Sequence, residues 1–210
     1  MRQLSIIIIL IVFLIFNTAL PGCSALKSTI QYSIPVDYSN LSEIELRQNA
    51  EVNYNIVSRL SDGIVNNAVS DTLFLYTLLS KINPENTEYY TRLGILYDKI
   101  NKDRYAKSYF SRAISTSPQS SEPYYYLGNF YIKRQRYRLA LKSYLASYER
   151  TTNPSYELLY KIGDIYEKFG DTKKALFYLN KAYAINPNEE IRKIIDAAND
   201  MEKTNAEFYR

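Results

Sequence analysis

The sequence contains no histidine and no tryptophan, and only one cysteine and six glycines among 210 residues. Without histidine the chain lacks the side chain that most often serves as a general base near neutral pH and as a metal ligand. Catalysis would have to rest on Ser, Lys, Tyr or carboxylates. No nucleophile stands in a recognisable pattern with a base, and neither a phosphate-binding glycine loop nor a metal-ligand spacing occurs. Acid pairs such as Glu189 and Glu190 are adjacent on a helix and face different ways. A single cysteine excludes an internal disulfide. The expectation is a non-enzyme with no metal, no cofactor and no small-molecule substrate. What is abundant is tyrosine, with 22 copies, in a chain that is 46% hydrophobic and 23% charged with a net charge of +4. That is ordinary globular content, with length enough for one domain and its core.

The cysteine is explained by what precedes it. MRQLSIIIILIVFLIFNTALPGCS carries one positive charge at Arg2, an apolar run from Ile6 to Phe16 and small residues before Cys23, the layout of an export signal. The run from Leu4 to Phe16 is shorter than the roughly 20 apolar residues a bilayer span needs. The stretch LPGC, Leu20 to Cys23, resembles the lipobox of bacterial lipoproteins, with Pro21 a less usual occupant of its place. That resemblance implies lipid attachment at Cys23, removal of residues 1–22 and, with Ser24 following, an exported protein anchored in the outer membrane and facing the periplasm or the cell surface. The competing reading is a plain secretory signal with an incidental cysteine. Residues 23–40, rich in Ser and without helical periodicity, read as a tether. Ser42 followed by Glu45 is a capping box and predicts where the folded part begins.

Three segments then superimpose: YTRLGILY (90–97), YYYLGNFY (124–131) and LYKIGDIY (159–166) place Gly94, Gly128 and Gly163 at intervals of 34 and 35 residues. Ala106, Ala140 and Ala175 keep the same interval, followed by Phe110, Tyr144 and Leu179 and then by Ala113, Ser147 and Ala182. Pro118 and Pro187 close the first and third units, and Pro154 closes the second slightly late. This pattern resembles the tetratricopeptide repeat, a helix-turn-helix unit, although Tyr90, Tyr124 and Leu159 stand where the family has Trp. The resemblance implies an all-α solenoid of antiparallel helix pairs in a right-handed superhelix, with repeats at 87–120, 121–155 and 156–187. Two helices cross closely only where one is smooth, so the glycines of each first helix are expected to face the alanines of the second. Tyr124, Leu127, Phe130, Tyr131 and Tyr166 are expected in the core. Asn101, Gln135 and Gly170 fall in the turns between helices, where a positive φ is required.

In the family the concave groove is lined by first-helix side chains. By that resemblance the groove positions here are Thr91, Ile95, Asp98, Tyr125, Asn129, Ile132, Tyr160, Asp164 and Glu167, flanked by Glu88, Glu122, Glu157, Lys99, Lys133 and Lys168. Their net acidity points to a basic segment of an envelope protein as the partner, with Tyr125 and Tyr160, which share one register, as contacts. A Glu near the start and a Lys near the end of each helix also complement the helix dipole, so those residues have a purely structural reading too.

Residues 41–86 read as a helical pair, a candidate degenerate repeat without the Gly and Ala landmarks, and 188–210 as a capping helix with an apolar stripe of Ile191, Ile194, Ile195, Ala198 and Met201. The basic stretch KRQRYRLALK (133–142) reads as a solvated turn, with lipid headgroups as the alternative and nucleic acid disfavoured by export. The whole reads as a lipid-anchored binding scaffold at the bacterial envelope, serving outer-membrane protein assembly, pilus or secretion assembly, or cell-wall hydrolase regulation. The alternative is an enzyme or carbohydrate-binding lipoprotein that uses exposed tyrosines.

Overall fold

The computed structural model describes residue 38 and residues 40–208, with side chains as far as 200. The expected signal (1–22), lipidation at Cys23, most of the tether and the Met201 side chain lie outside the described residues. Nine helices and no strand occur among those described: α1 (Glu43–Ser58), α2 (Asn67–Ile82), α3 (Thr87–Lys99), α4 (Asp103–Thr116), α5 (Glu122–Lys133), α6 (Tyr137–Tyr148), α7 (Tyr156–Lys168), α8 (Thr172–Ile185) and α9 (Glu189–Phe208). The first begins on the capping box: the Glu45 amide donates to Ser42 Oγ, and the Ser42 amide donates to Glu45 Oε2 at 2.9 Å.

Consecutive helices pack as pairs, α1 with α2, α3 with α4, α5 with α6 and α7 with α8, and α9 covers α8. Three of the four turns inside these pairs close in one way. The amides of Lys102, Arg136 and Asp171 donate to the carbonyls of Tyr97, Tyr131 and Tyr166 at 2.8, 2.9 and 3.0 Å. Just before each donor the chain takes a left-handed conformation, at Asn101 (φ 58°), Gln135 (φ 56°) and Gly170 (φ 74°). The amides of these three residues donate in turn to the Asp98, Ile132 and Glu167 carbonyls, and the two bonds together satisfy carbonyls that a helix end leaves unpaired. The tyrosine at the end of each first helix thus supplies a backbone acceptor besides its ring.

The glycines answer to larger neighbours than the sequence predicts. A Cβ on Gly94, Gly128 or Gly163 would stand 2.6, 2.3 or 2.7 Å from the side chains of Phe110, Tyr144 and Leu179, one turn beyond the alanines. Ala106, Ala140 and Ala175 are fully buried, but the large side chain after each is what claims the glycine's space. Of the expected core residues, Phe130 and Tyr131 are buried, whereas Tyr124, Leu127 and Tyr166 are half-buried. Tyr124 is displaced outward because its hydroxyl donates to the Pro118 carbonyl (3.3 Å) while the Arg150 guanidinium covers its ring at 4.3 Å.

Residues 41–86 form a fourth pair in the same register. Thr72, Tyr76 and Leu79, fully buried, stand 34 residues before Ala106, Phe110 and Ala113. The Tyr76 hydroxyl donates to Glu51 at 2.7 Å, as the Tyr144 hydroxyl donates to Asn129 at 2.8 Å. Since Asn129 follows Gly128, the matching place before Glu51 belongs to Ala50, which is fully buried. Alanine fills the smooth position here. The pair is also lengthened: 22 residues separate Ala50 from Thr72, against 12 between Gly94 and Ala106. The additional chain extends α1 and forms the loop 59–66, whose Gly63 amide donates to the Lys99 carbonyl at 2.7 Å. Leu41–Arg210 make a compact unit of their own.

Candidate functional site

The first helices α3 and α5 meet side by side, Arg47 on α1 reaches Glu88 on α3, and each second helix packs on the next first helix. The face shared by α1, α3, α5 and α7 is therefore the inner one. In its first half nearly every charge is paired. Arg47 on α1 reaches Glu88 on α3 at 2.6 Å, and Arg92 lies 3.6 Å from Glu88, 3.9 Å from Glu51 and 4.4 Å from the Tyr54 ring centroid. At the turn end, Asp62 of the inserted loop lies 2.7 Å from Lys133 and 3.5 Å from Lys99. The Lys133 hydrogen bond, outweighing burial, holds the Asp62 carboxyl below the usual carboxylate range. Asp98 pairs with Arg134 at 2.7 Å, Arg134 also grips Asp103, and its guanidinium lies 3.6 Å over the Phe130 ring. The basic stretch at 133–142 is thus only partly solvated, because Lys133 and Arg134 tie the inserted loop, α3 and α5 together.

The second half differs. Tyr125 is half-buried, edge-on to Tyr126 with centroids 5.3 Å apart and 6.0 Å from Tyr144. Burial raises its hydroxyl above the usual value, the Asn129 hydrogen bond opposes this, and Glu157 adds to the rise. Tyr160 stacks on Tyr156 at 6.1 Å; burial first, then Glu190, Asp164 and Glu167, push its hydroxyl the same way. Asp164 is paired with Lys168 at 2.5 Å. Among the described residues no base stands within ion-pair distance of Glu122, Glu157, Glu167 or Glu190. Two half-buried rings with carboxylates around them that lack a close base, Glu122 alone feeling Arg92 at longer range, therefore mark the face of α5, α7 and the start of α9. Asn188 fixes that start, its Nδ2 donating to the Tyr156 hydroxyl (2.8 Å) and its Oδ1 accepting from the Ile191 amide (2.9 Å).

The sequence pattern that defines the tetratricopeptide repeat matches residues 87–120 and 156–189. Those two segments are tetratricopeptide repeats. The TPR repeat-containing protein MJ1428 of Methanocaldococcus jannaschii is 32% identical over 121 residues, which cover 58% of this chain and 21% of that protein. The match thus spans about a fifth of the relative's length. Among solved structures, YrrB, described as a TPR protein with an unusual peptide-binding site, is 23% identical with a TM-score of 0.57, covering 63% of this chain and 68% of its own. PilF of Pseudomonas aeruginosa is 14% identical with a TM-score of 0.60 over 77% of this chain and 71% of that one. PilW, described as a widely conserved type IV pilus biogenesis factor, is 18% identical with a TM-score of 0.56 over 68% and 63%. At these identities the likeness is one of fold: an all-helical tetratricopeptide-repeat solenoid.

Tetratricopeptide repeats put the groove positions on the inner face, but the side chains there are not equally available. Thr91 is fully buried, its hydroxyl donating to the Thr87 carbonyl at 3.0 Å, and offers a partner no surface. Asp98 is occupied by Arg134 and Asn129 by the Tyr144 hydroxyl. Ile95, Ile132, Tyr125, Tyr160 and Asp164 are half-buried and Glu167 is exposed. Sequence reasoning missed Arg92 and Tyr126, which stand two residues before their repeat glycines, and Arg47, Glu51 and Tyr54 of the first pair. Ala50 in place of glycine hid the last three. Counting these residues, the first half of the groove is close to neutral, and the net acidity lies in the second. Among the described residues, no group of three or more Cys, Asp or Glu side chains stands together as metal ligands, and no helix is long and apolar enough to cross a membrane.

Proposed function

We propose that the repeat unit is a non-catalytic docking scaffold whose groove at α5, α7 and α9 holds a basic, extended segment of a partner protein. The observation that carries this reading is the placement of Tyr125 and Tyr160 at one register among Glu157, Glu167 and Glu190, none of which, among the described residues, has a base within ion-pair distance; Glu122 beside them feels only the longer-range pull of Arg92. Half-buried aromatic rings supply contact area at low entropic cost, and unneutralised carboxylates give a preference for positive charge. The tyrosines elsewhere do not favour a carbohydrate-binding or catalytic surface, since only Tyr105 is strongly exposed among the described residues.

The test is binding of a labelled, unstructured Lys-rich peptide to residues 41–210. Affinity should fall as salt rises, and the pair Glu157→Lys with Glu167→Lys should weaken it about tenfold. Equal binding of an acidic peptide of the same length, or no response to the charge reversals, would sink the reading.

We further propose that the chain is exported and held at the cell envelope by lipid on Cys23, on the strength of LPGC after an apolar run. Several acyl chains there make attachment nearly permanent, since each buried CH₂ contributes about 0.8 kcal/mol. Cys23→Ser should accumulate as an uncleaved precursor that takes up no labelled fatty acid; normal labelling of that variant would exclude this anchor. Within the envelope, the fold shared with PilF and PilW supports pilus assembly among the processes served.

A further inference from the structure

The outer helices of the three repeats carry a charge opposite to that of the second half of the groove. Together α4, α6 and α8 hold eight basic residues and one acid, Asp103, which Arg134 occupies. Arg104, Arg138 and Lys173 stand at one register position, two residues before the buried alanines Ala106, Ala140 and Ala175. All three are exposed, as are Lys107 and Lys142, and among the described residues no acid lies within ion-pair distance of these five. Beside this row Tyr105, Leu139 and Phe177 are left 55%, 41% and 53% exposed. The bases of the groove, by contrast, are mostly held by neighbouring acids.

We infer that this outer face lies against an anionic lipid surface. Repetition of one base per repeat gives a row of positive charge as long as the three stacked units, which suits a plane of negative headgroups better than a point ligand. Exposed apolar side chains between the bases suit insertion at the headgroup level, a use that a purely electrostatic partner would not give them. The consequence is an orientation: the outer helices lie on the membrane and the groove opens away from it. The inference does not depend on the groove's occupant or on the lipid at Cys23.

Residues 41–210 begin on a closed capping box and carry a core running from Leu46 to Ala198, so they are tested without the apolar segment that precedes them. The probe is vesicles of phosphatidylcholine with about a third phosphatidylglycerol, against phosphatidylcholine alone, in a sedimentation assay. The fragment should sediment with the anionic vesicles only, and be released as salt rises from about 0.05 to about 0.5 M. Near a membrane each such base is worth about fivefold in affinity, so the triple variant Arg104→Gln, Arg138→Gln, Lys173→Gln should lose about a hundredfold with unchanged helicity by circular dichroism. Tyr125→Ala with Tyr160→Ala should leave vesicle binding unchanged. Equal sedimentation with uncharged vesicles, or a triple variant that binds as before, would overturn the inference. So would equally tight binding to duplex DNA, or self-association that the triple variant abolishes while anionic vesicles leave the protein in the supernatant.

Discussion

Gly128→Leu should lower the melting temperature of the repeat unit by roughly 4 to 8 °C. At Gly128 even a Cβ would stand 2.3 Å from the Tyr144 ring, closer than at either companion glycine. The ring cannot swing aside at little cost, because its hydroxyl is bound to Asn129 at 2.8 Å and the side chain is fully buried. Replacing a helical glycine gains about 0.8 to 1 kcal/mol in propensity, whereas overpacking a closed contact costs about 1 to 3 kcal/mol and more for a large side chain. The clash outweighs the propensity. A leucine in so short a contact takes the cost to the top of that range, so the net loss is about 2 kcal/mol, and at about 2 to 4 °C per kcal/mol for a unit of this size the range stated follows. If the leucine variant does not fold, Gly128→Ala measures the same contact at a smaller scale. Gly94→Ala should cost less, since Phe110 has no hydroxyl to pin it. Gly170→Ala meets open space and costs only the strain of its φ of 74°, about 1 kcal/mol. An unchanged transition for Gly128→Leu in a calorimetric scan would contradict the packing described.

Removing both groove tyrosines, Tyr125→Ala with Tyr160→Ala, should weaken the basic peptide by about 2 to 4 kcal/mol if both act as anchors, which is roughly thirtyfold to a thousandfold. Stability will also move, because Tyr125 packs on Tyr126 and Tyr144 and Tyr160 on Tyr156. Affinity is therefore measured by calorimetry well below the melting transition. Tyr125→Phe separates the two effects: it keeps the ring and its packing and removes only the hydroxyl beside Asn129. Full affinity in the double alanine variant would move recognition away from this half of the groove.

The repeat register was legible because it depends on positions where few residues work. A left-handed turn at Asn101, Gln135 and Gly170 and a missing Cβ at Gly94, Gly128 and Gly163 leave a mark in the chain at a fixed interval. The first pair was less legible because Ala50 meets the same steric demand with a different residue, and the long connection from Ala50 to Thr72 breaks the interval. Which groove side chains are free was not legible either. Thr91 turns its hydroxyl to its own helix, and Asp98 is claimed by Arg134, whose position in a basic run suggested solvent. Ion pairs between helices depend on where long side chains reach, and spacing along the chain does not encode that. The glycine partners were misread for a related reason, since Phe110, Tyr144 and Leu179 project back along their helices over the contact that the alanines only permit.

The clasp formed by Asp62, Lys99, Lys133, Asp98 and Arg134 makes the two ends of the solenoid unequal. In a stack where each pair touches only its neighbours, disruption starts at an end and spreads inward. At the leading end, the loop after α1 is fastened to both α3 and α5, so releasing the first pair means parting contacts with two later ones. At the trailing end, α9 rests on α8 and is tied to α7 through Asn188, while the ion pairs of Lys174 and Arg192 stay within their own helices and caps. Fraying, proteolytic entry and the earliest hydrogen exchange therefore belong to α9 and α8, on the side of the molecule where Tyr160 and Glu190 would receive a partner. Occupancy of that end would then act as a splint, slowing the opening of the least secured part of the chain.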